Sequence, residues 1–174
     1  MHTKSNQLLI EAVWTPKENI IWIQRFILAG LGVLFLIIAA KIKLILPFSP
    51  VPITLGTFAV LTIGTVYGQR LGLFTIFGYL LIGMLGFDVF ANSSAEANGI
   101  SYMFGGTGGY LLGYCFAIIA LGYFVKLNWD RNIFKLSVAL IVANLLIYIP
   151  GLLWLGQLYG WDQPIVAWGL TPFI

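Results

Sequence analysis

The sequence predicts an all-α protein, a polytopic bundle of membrane-spanning helices, and three observations carry that reading. Of its 174 residues, 60% are hydrophobic and only 9% charged, against about 45–50% and about 25% in an ordinary soluble domain. The mean hydropathy of +0.96 leaves too few polar side chains to coat a globule. Long apolar runs separated by brief polar breaks approach the roughly 20 residues that a helix needs to cross a hydrocarbon core of about 30 Å. The runs do not alternate apolar and polar residues, as the strands of a membrane barrel do. Soluble enzymes, disordered chains and disulfide scaffolds are excluded on the same grounds.

The elements follow in order. Residues 1–18 are mixed polar and form an N-terminal interfacial segment, with Trp14 as its anchor. They lack the order of charged, apolar and small-residue regions that marks a signal peptide. Residues 19–174 form one integral membrane domain. Its first span is Phe26 to Ala40, completed by Ile20–Ile23 on one side or Ile42–Leu46 on the other. The next four run from about Ile53 to Tyr67, Leu71 to Phe87, Tyr102 to Val125 and Ile133 to Leu155. Pro164 to Ile174 opens a sixth, and 11 residues reach only about 16 Å as helix. The expectation is therefore six helices, the sixth truncated.

Lysine and arginine set the orientation. With the N-terminus inside, Lys4, Lys17, Arg25, Arg70, Lys126, Arg131 and Lys135 fall on the inner side, leaving Lys41 and Lys43 outside. The positive-inside rule favours that arrangement. The chain is expected to be a multi-pass protein of the plasma membrane with a cytoplasmic N-terminus.

Three features interrupt the apolar runs. Pro47-Phe-Ser-Pro-Val-Pro52 has three prolines in six residues and cannot continue a helix. It is read either as a rigid turn or as a lid over an outward-facing pocket. Phe104-Gly-Gly-Thr-Gly-Gly-Tyr110 begins a stripe of Gly105, Gly109, Gly113 and Ala117 at four-residue spacing, which lets another helix approach closely. Its first glycines also leave backbone N–H groups open to a polar or anionic ligand. Gly64, Gly68 and Gly72 form a second stripe, read as packing. Gly86 to Asn92 is an outer loop in which Asp88 must be solvated or paired. In the fifth run Asn144 and Tyr148 share one helical face, either bonding a neighbouring helix or lining a cavity.

The single cysteine, Cys115, and the single histidine, His2, offer no disulfide and almost no means of holding a metal. No phosphate-binding loop, carboxylate pair or nucleophile with its base occurs. The sequence therefore points away from an enzyme, a cofactor and a nucleic-acid partner, and towards a small binding protein that opens outwards.

Ser49-Pro-Val-Pro-Ile-Thr54, the stretch from Tyr79 through Gly86-Phe-Asp-Val-Phe-Ala91, and Gly105-Gly-Thr-Gly-Gly-Tyr-Leu-Leu-Gly113 together resemble the BioY family. These are the biotin-binding S components of energy-coupling factor transporters. Gly169-Leu-Thr-Pro-Phe173 adds a weaker match, and the likeness covers roughly Ala29 to Ile174. It implies a six-helix S-component fold in the lipid bilayer and biotin capture on the outer side, gated by the first outer loop. It also implies partnership with a membrane coupling subunit and two ATPases. The chain departs from the family pattern at Gly56, Asp88 and Gly106, where Gln, Pro and Pro are usual. The family's ligand-associated Asp and Lys would follow Ile174, so the 174-residue form is expected to bind weakly.

For biotin, Phe48, Phe87 and Phe90 are assigned as apolar walls, and Asn92 and Asn144 as amide contacts to the ureido ring. Gly108, Gly109 and Tyr110 are assigned as backbone N–H and hydroxyl donors, with Tyr148 beside Asn144. Two alternatives stay open: an S component for another small vitamin, and a structural helical protein without ligand.

Overall fold

The computed structural model describes residues 21–44, 53–93, 98–162 and 165. Helix α1 spans Ile21–Lys41, strands β1 and β2 Lys43–Leu44 and Ile53–Thr54, and helix α2 Gly56–Met84. Short helix α3 (Gly99–Met103) is followed by α4 (Gly108–Lys126), a 3-10 turn (Trp129–Arg131) and α5 (Ile133–Tyr159). Four of these helices are long and apolar enough to cross a membrane. At 21 residues, α1 reaches about 31 Å, one hydrocarbon thickness. The extension that completes it comes from its N-terminal side.

Helix α2 holds two of the predicted runs, because its backbone breaks at Gly68. There φ is 69° and ψ is −172°, a region open essentially only to glycine. The chain then folds back on itself. The Ile63 side chain comes within 3.7 Å of the point where a Cβ on Gly72 would lie, although nine residues of straight helix would separate them by about 13 Å. Helix α1 reads the same reversal. Its Leu28 carbonyl accepts from the Tyr67 hydroxyl at 2.9 Å, and Phe35 meets Phe58 edge-on, so α1 runs antiparallel to the first arm. Phe26 meets Phe74 at 5.4 Å and Val33 lies 3.5 Å from the Cβ position of Gly78, so it runs parallel to the second. Each of the five complete apolar runs is thus built mainly of helix.

Gly68 is accordingly a reversal point and not a member of a packing stripe. Gly64 and Gly72 do pack, with Leu121 or Ile118 filling the space that a side chain would take. Two further expectations are corrected. Residues 53–54 are a strand, pairing antiparallel with β1 in the register Lys43↔Thr54 and Leu44↔Ile53, and helix begins only at Gly56. The fourth run does not start at Tyr102 as one helix: α3 ends at Met103, the glycine cluster turns, and α4 begins at Gly108.

Small residues fill the interior and large apolar ones face out. Ala59, Ala117, Ala139 and Ala143 are essentially buried, whereas Phe26, Phe77, Leu112, Ile141 and Leu153 are each more than half exposed. That inside-out distribution suits lipid as the surrounding solvent. Helices α4 and α5 approach closely where Gly113 faces the backbone of Ile147, at 2.7 Å from its Cβ position. Pro150 lies inside α5 and cannot donate to the Leu146 carbonyl, which faces that same glycine. The N-terminus of α5 is capped by Asn132, whose side-chain oxygen accepts from the N–H groups of Phe134 and Lys135 at 3.1 and 3.2 Å.

The bundle has two chemically distinct ends. Lys126 donates to Gln69 at 3.0 Å, which places the α2 reversal beside the end of α4, together with Arg70 and the α4–α5 connection bearing Arg131. Lys41, Lys43 and the loop from Gly86 to Ser93 occupy the other end. The interfacial segment 1–18, the proline segment 47–52 and all of the sixth run except Ile165 lie outside the described residues. Ile165 itself is buried in the core.

Candidate functional site: a tyrosine-walled cavity at the lysine end

A cavity of about 50 Å³ opens among the helices at the Lys41 end. It is several times the roughly 10–15 Å³ that one water needs on this measure, so it is a solvent-sized space and not a packing defect. Every long element contributes. Ala40 comes from α1, Thr54 from β2, Thr57 and Tyr79 from the two arms of α2, and Phe90 and Ala91 from the following loop. Tyr102, Thr107, Tyr110, Leu111 and Tyr114 come from α3, the glycine turn and α4, and Tyr148 from α5. The wall is therefore five phenols, three threonines and apolar side chains, with no charge. Phenols inside an apolar bundle keep one end in contact with hydrocarbon and one available for hydrogen bonding.

The walls are held from behind. The Phe90 ring stacks on Tyr102 at 5.0 Å and meets Tyr79 edge-on at 5.3 Å. It fills the space left by the missing side chain of Gly83. The Tyr79 hydroxyl donates to the Val89 carbonyl at 3.3 Å, and the Asn92 N–H donates to the Tyr102 oxygen at 3.2 Å. Tyr110 and Tyr148 meet edge-on at 5.8 Å, with Gly151 making room for the Tyr110 ring. Thr57 hydrogen-bonds towards both Tyr114 and Tyr148. Trp154 donates to the Gly105 carbonyl at 2.9 Å and pins the glycine turn to α5.

Two lysines strap the mouth. Lys41 donates to the Asp88 carboxylate at 2.6 Å and to the Phe90 carbonyl at 2.8 Å. Lys43 donates to the Ala91 carbonyl at 2.6 Å and the Asn92 side-chain oxygen at 2.8 Å. Asp88 is thus paired as well as exposed. Hydrogen bonds from Lys41 and then Ser93 hold its carboxyl below the ordinary carboxylate value. A lowered pKa means that the pair steadies the loop above the ordinary carboxylate range and releases it as pH falls through the lowered value. With Asp88 mostly in solvent, that contribution is small.

Of the residues assigned from the sequence, Phe90, Tyr110 and Tyr148 line the cavity. Asn92 sits at its rim under Lys43. Phe87 is 62% exposed and lies away from the cavity wall. Gly108 and Gly109 are packing positions: Gly108 abuts the Met103 carbonyl and Trp154, and Gly109 abuts the Pro150 carbonyl and Trp154. Asn144 is one turn from Tyr148 but does not line the cavity, and its side-chain oxygen is buried without a hydrogen-bond partner among the described residues. Phe48 lies outside them. Sequence reasoning missed Tyr79, Tyr102, Tyr114 and the three threonines. Their signal was present, because each is a polar-tipped residue in an apolar run that needs a partner once buried. Among the described residues no group of acidic, cysteine or histidine side chains is placed to hold a metal.

Fold and cavity together define a class: a multi-pass integral membrane protein with a solvent-sized cavity at one end of its helical bundle. The chain belongs to the BioY family, whose profile matches residues 6–174. It is 35% identical over 142 residues to "Biotin transporter BioY2" of Lactococcus lactis subsp. cremoris, covering 79% of this chain and 74% of that protein. It is 30% identical to "Biotin transporter BioY" of Thermotoga maritima, covering 87% and 85%. A "Probable biotin transporter BioY" of Rickettsia prowazekii is likewise 30% identical, covering 79% and 68%. The fold resembles the crystal structure of the S-component for biotin from an ECF-type ABC transporter. The TM-score is 0.74 over 87% of this chain and 80% of that one, at 20% identity. The family resemblance read from the three sequence stretches is borne out, and with it the S-component fold. The family is one of membrane transport proteins, not of enzymes.

Proposed function

We propose that the protein captures biotin on the outer side of the membrane as the substrate-specific subunit of a vitamin uptake system. The observation that carries this reading is the chemistry of the cavity, found in a chain whose relatives are named biotin transporters. Biotin has a neutral ureido ring that both donates and accepts hydrogen bonds, an apolar thiophane and tail, and a terminal carboxylate. Uncharged hydroxyls of Thr57, Tyr110, Tyr114 and Tyr148 match the ring, and the stacked Phe90 and Tyr102 match the thiophane. A neutral wall suits a neutral ring, since a buried unpaired charge is costly.

The basic end of the bundle supports a cytoplasmic N-terminus in this reading, and the opposite end an outward cavity. The sequence carries no phosphate-binding loop, and the reading assigns the energy for transport to a coupling subunit with its ATPases. Titration of the detergent-purified protein with radiolabelled biotin tests the reading. Saturable binding, competed by unlabelled biotin and not by a panel of other vitamins, is the expected result. Competition by another vitamin instead would reassign the substrate, and no saturable ligand would leave a purely structural bundle.

A further inference from the structure

The cavity wall is uncharged, yet a carboxylate-bearing ligand must place its charge somewhere. Burying that charge among phenols and threonines without a cation is costly, so the carboxylate belongs at the mouth. Two cations stand there, and they are not equivalent. Lys41 is 2.6 Å from the Asp88 carboxylate, which neutralises it. Lys43 holds only neutral acceptors, the Ala91 carbonyl and the Asn92 amide oxygen. On the ribbon and the described part of the following loop, Lys41 and Lys43 stand against Asp88.

The position of Lys43 is fixed by the ribbon. It pairs directly with Thr54, and residues opposite one another in an antiparallel pair project from the same face, with Cβ atoms about 5 Å apart. Thr54 lines the cavity, and so does Ala91, whose carbonyl Lys43 holds. The lysine stem thus runs between two cavity-lining residues. Its ammonium has three donors and spends two of them on described residues, the Ala91 carbonyl and the Asn92 side chain.

We propose that Lys43 recognises the ligand's carboxylate at the cavity mouth and gives the site its preference for a monocarboxylate over the corresponding neutral ester. The proposal rests on the reading of the chain as a biotin-binding protein. It assigns Lys41 a different task, strapping the loop through Asp88.

The experiment compares biotin with biotin methyl ester on the purified full chain and on Lys43→Gln and Lys43→Arg variants. Wild type is expected to favour the acid by about fivefold, which corresponds to about 1 kcal/mol for an exposed ion pair. Lys43→Gln should bind acid and ester equally, and Lys43→Arg should restore the preference. If Lys43→Gln weakens acid and ester alike, Lys43 acts only by holding the loop and the assignment falls. Unchanged acid affinity in that variant overturns it as well. A second measurement needs no variant: raising salt to about 0.5 M should weaken wild-type binding of the acid and not of the ester. Salt-independent acid binding would also overturn the assignment. Failure of both ligands to bind wild type would instead remove the biotin reading, and this assignment with it.

Discussion

Gly109 and Gly113 show how one residue position separates packing from binding. At Gly113 an added Cβ would lie 2.7 Å from the Cα and carbonyl oxygen of Ile147. Those are backbone atoms of α5 and cannot swing aside, so the two helices would have to part. Overpacking of that kind costs about 1–3 kcal/mol, and parting α4 from α5 also displaces Tyr110 and Tyr148 from their edge-on contact. Gly113→Ala should therefore lower the thermal midpoint in detergent by several degrees and weaken ligand binding together. A stable Gly113→Ala protein with unchanged binding would show that α4 and α5 have slack at this level. The stripe was legible in the sequence as a helix contact. The binding role offered for Gly108 and Gly109 was a local alternative, since spacing alone does not say whether the neighbour is a helix or a ligand.

Among the elements, α2 depends on a single backbone conformation. Gly68, with φ of 69° and ψ of −172°, reverses one helix into two arms that wall the cavity from opposite sides with Thr57 and Tyr79. An L side chain there costs on the order of 1–3 kcal/mol of strain. Gly68→Ala should lower stability by that amount, and Gly68→Asn should not rescue it, because Asn tolerates the left-handed helical region rather than this extended one. Equal stability of wild type and Gly68→Ala would mean that the reversal is made elsewhere. The apolar runs on either side of Gly68 were readable by length and composition, as were the glycines in them. Which glycine turns and which packs was not, because both uses select for a missing Cβ. The β1–β2 pair was invisible for a related reason: two residues per strand carry no alternation to detect.

For the whole molecule, the sequence conveyed the chemical difference between the two ends well and the interior of the site poorly. Charge asymmetry survives any detail of packing, so counting lysines and arginines separated the two ends. The ring of phenols is assembled from residues as far apart as Tyr79 and Tyr148, and one sequence holds no record of which of its eight tyrosines meet. Sidedness also yields a test. Among the described residues Arg25, Arg70, Lys126, Arg131 and Lys135 gather away from the cavity, and only Lys41 and Lys43 stand beside it. Positive charge resists translocation, so the cavity end should face the outside. With Cys115 first replaced by alanine, Ser101→Cys, exposed in α3, should react with a membrane-impermeant thiol reagent in intact cells. Leu127→Cys, exposed beside Lys126, should react only after permeabilisation. The reverse labelling would turn the cavity towards the cytoplasm. It would remove outward capture from the proposed function while leaving fold, cavity and family membership as they stand.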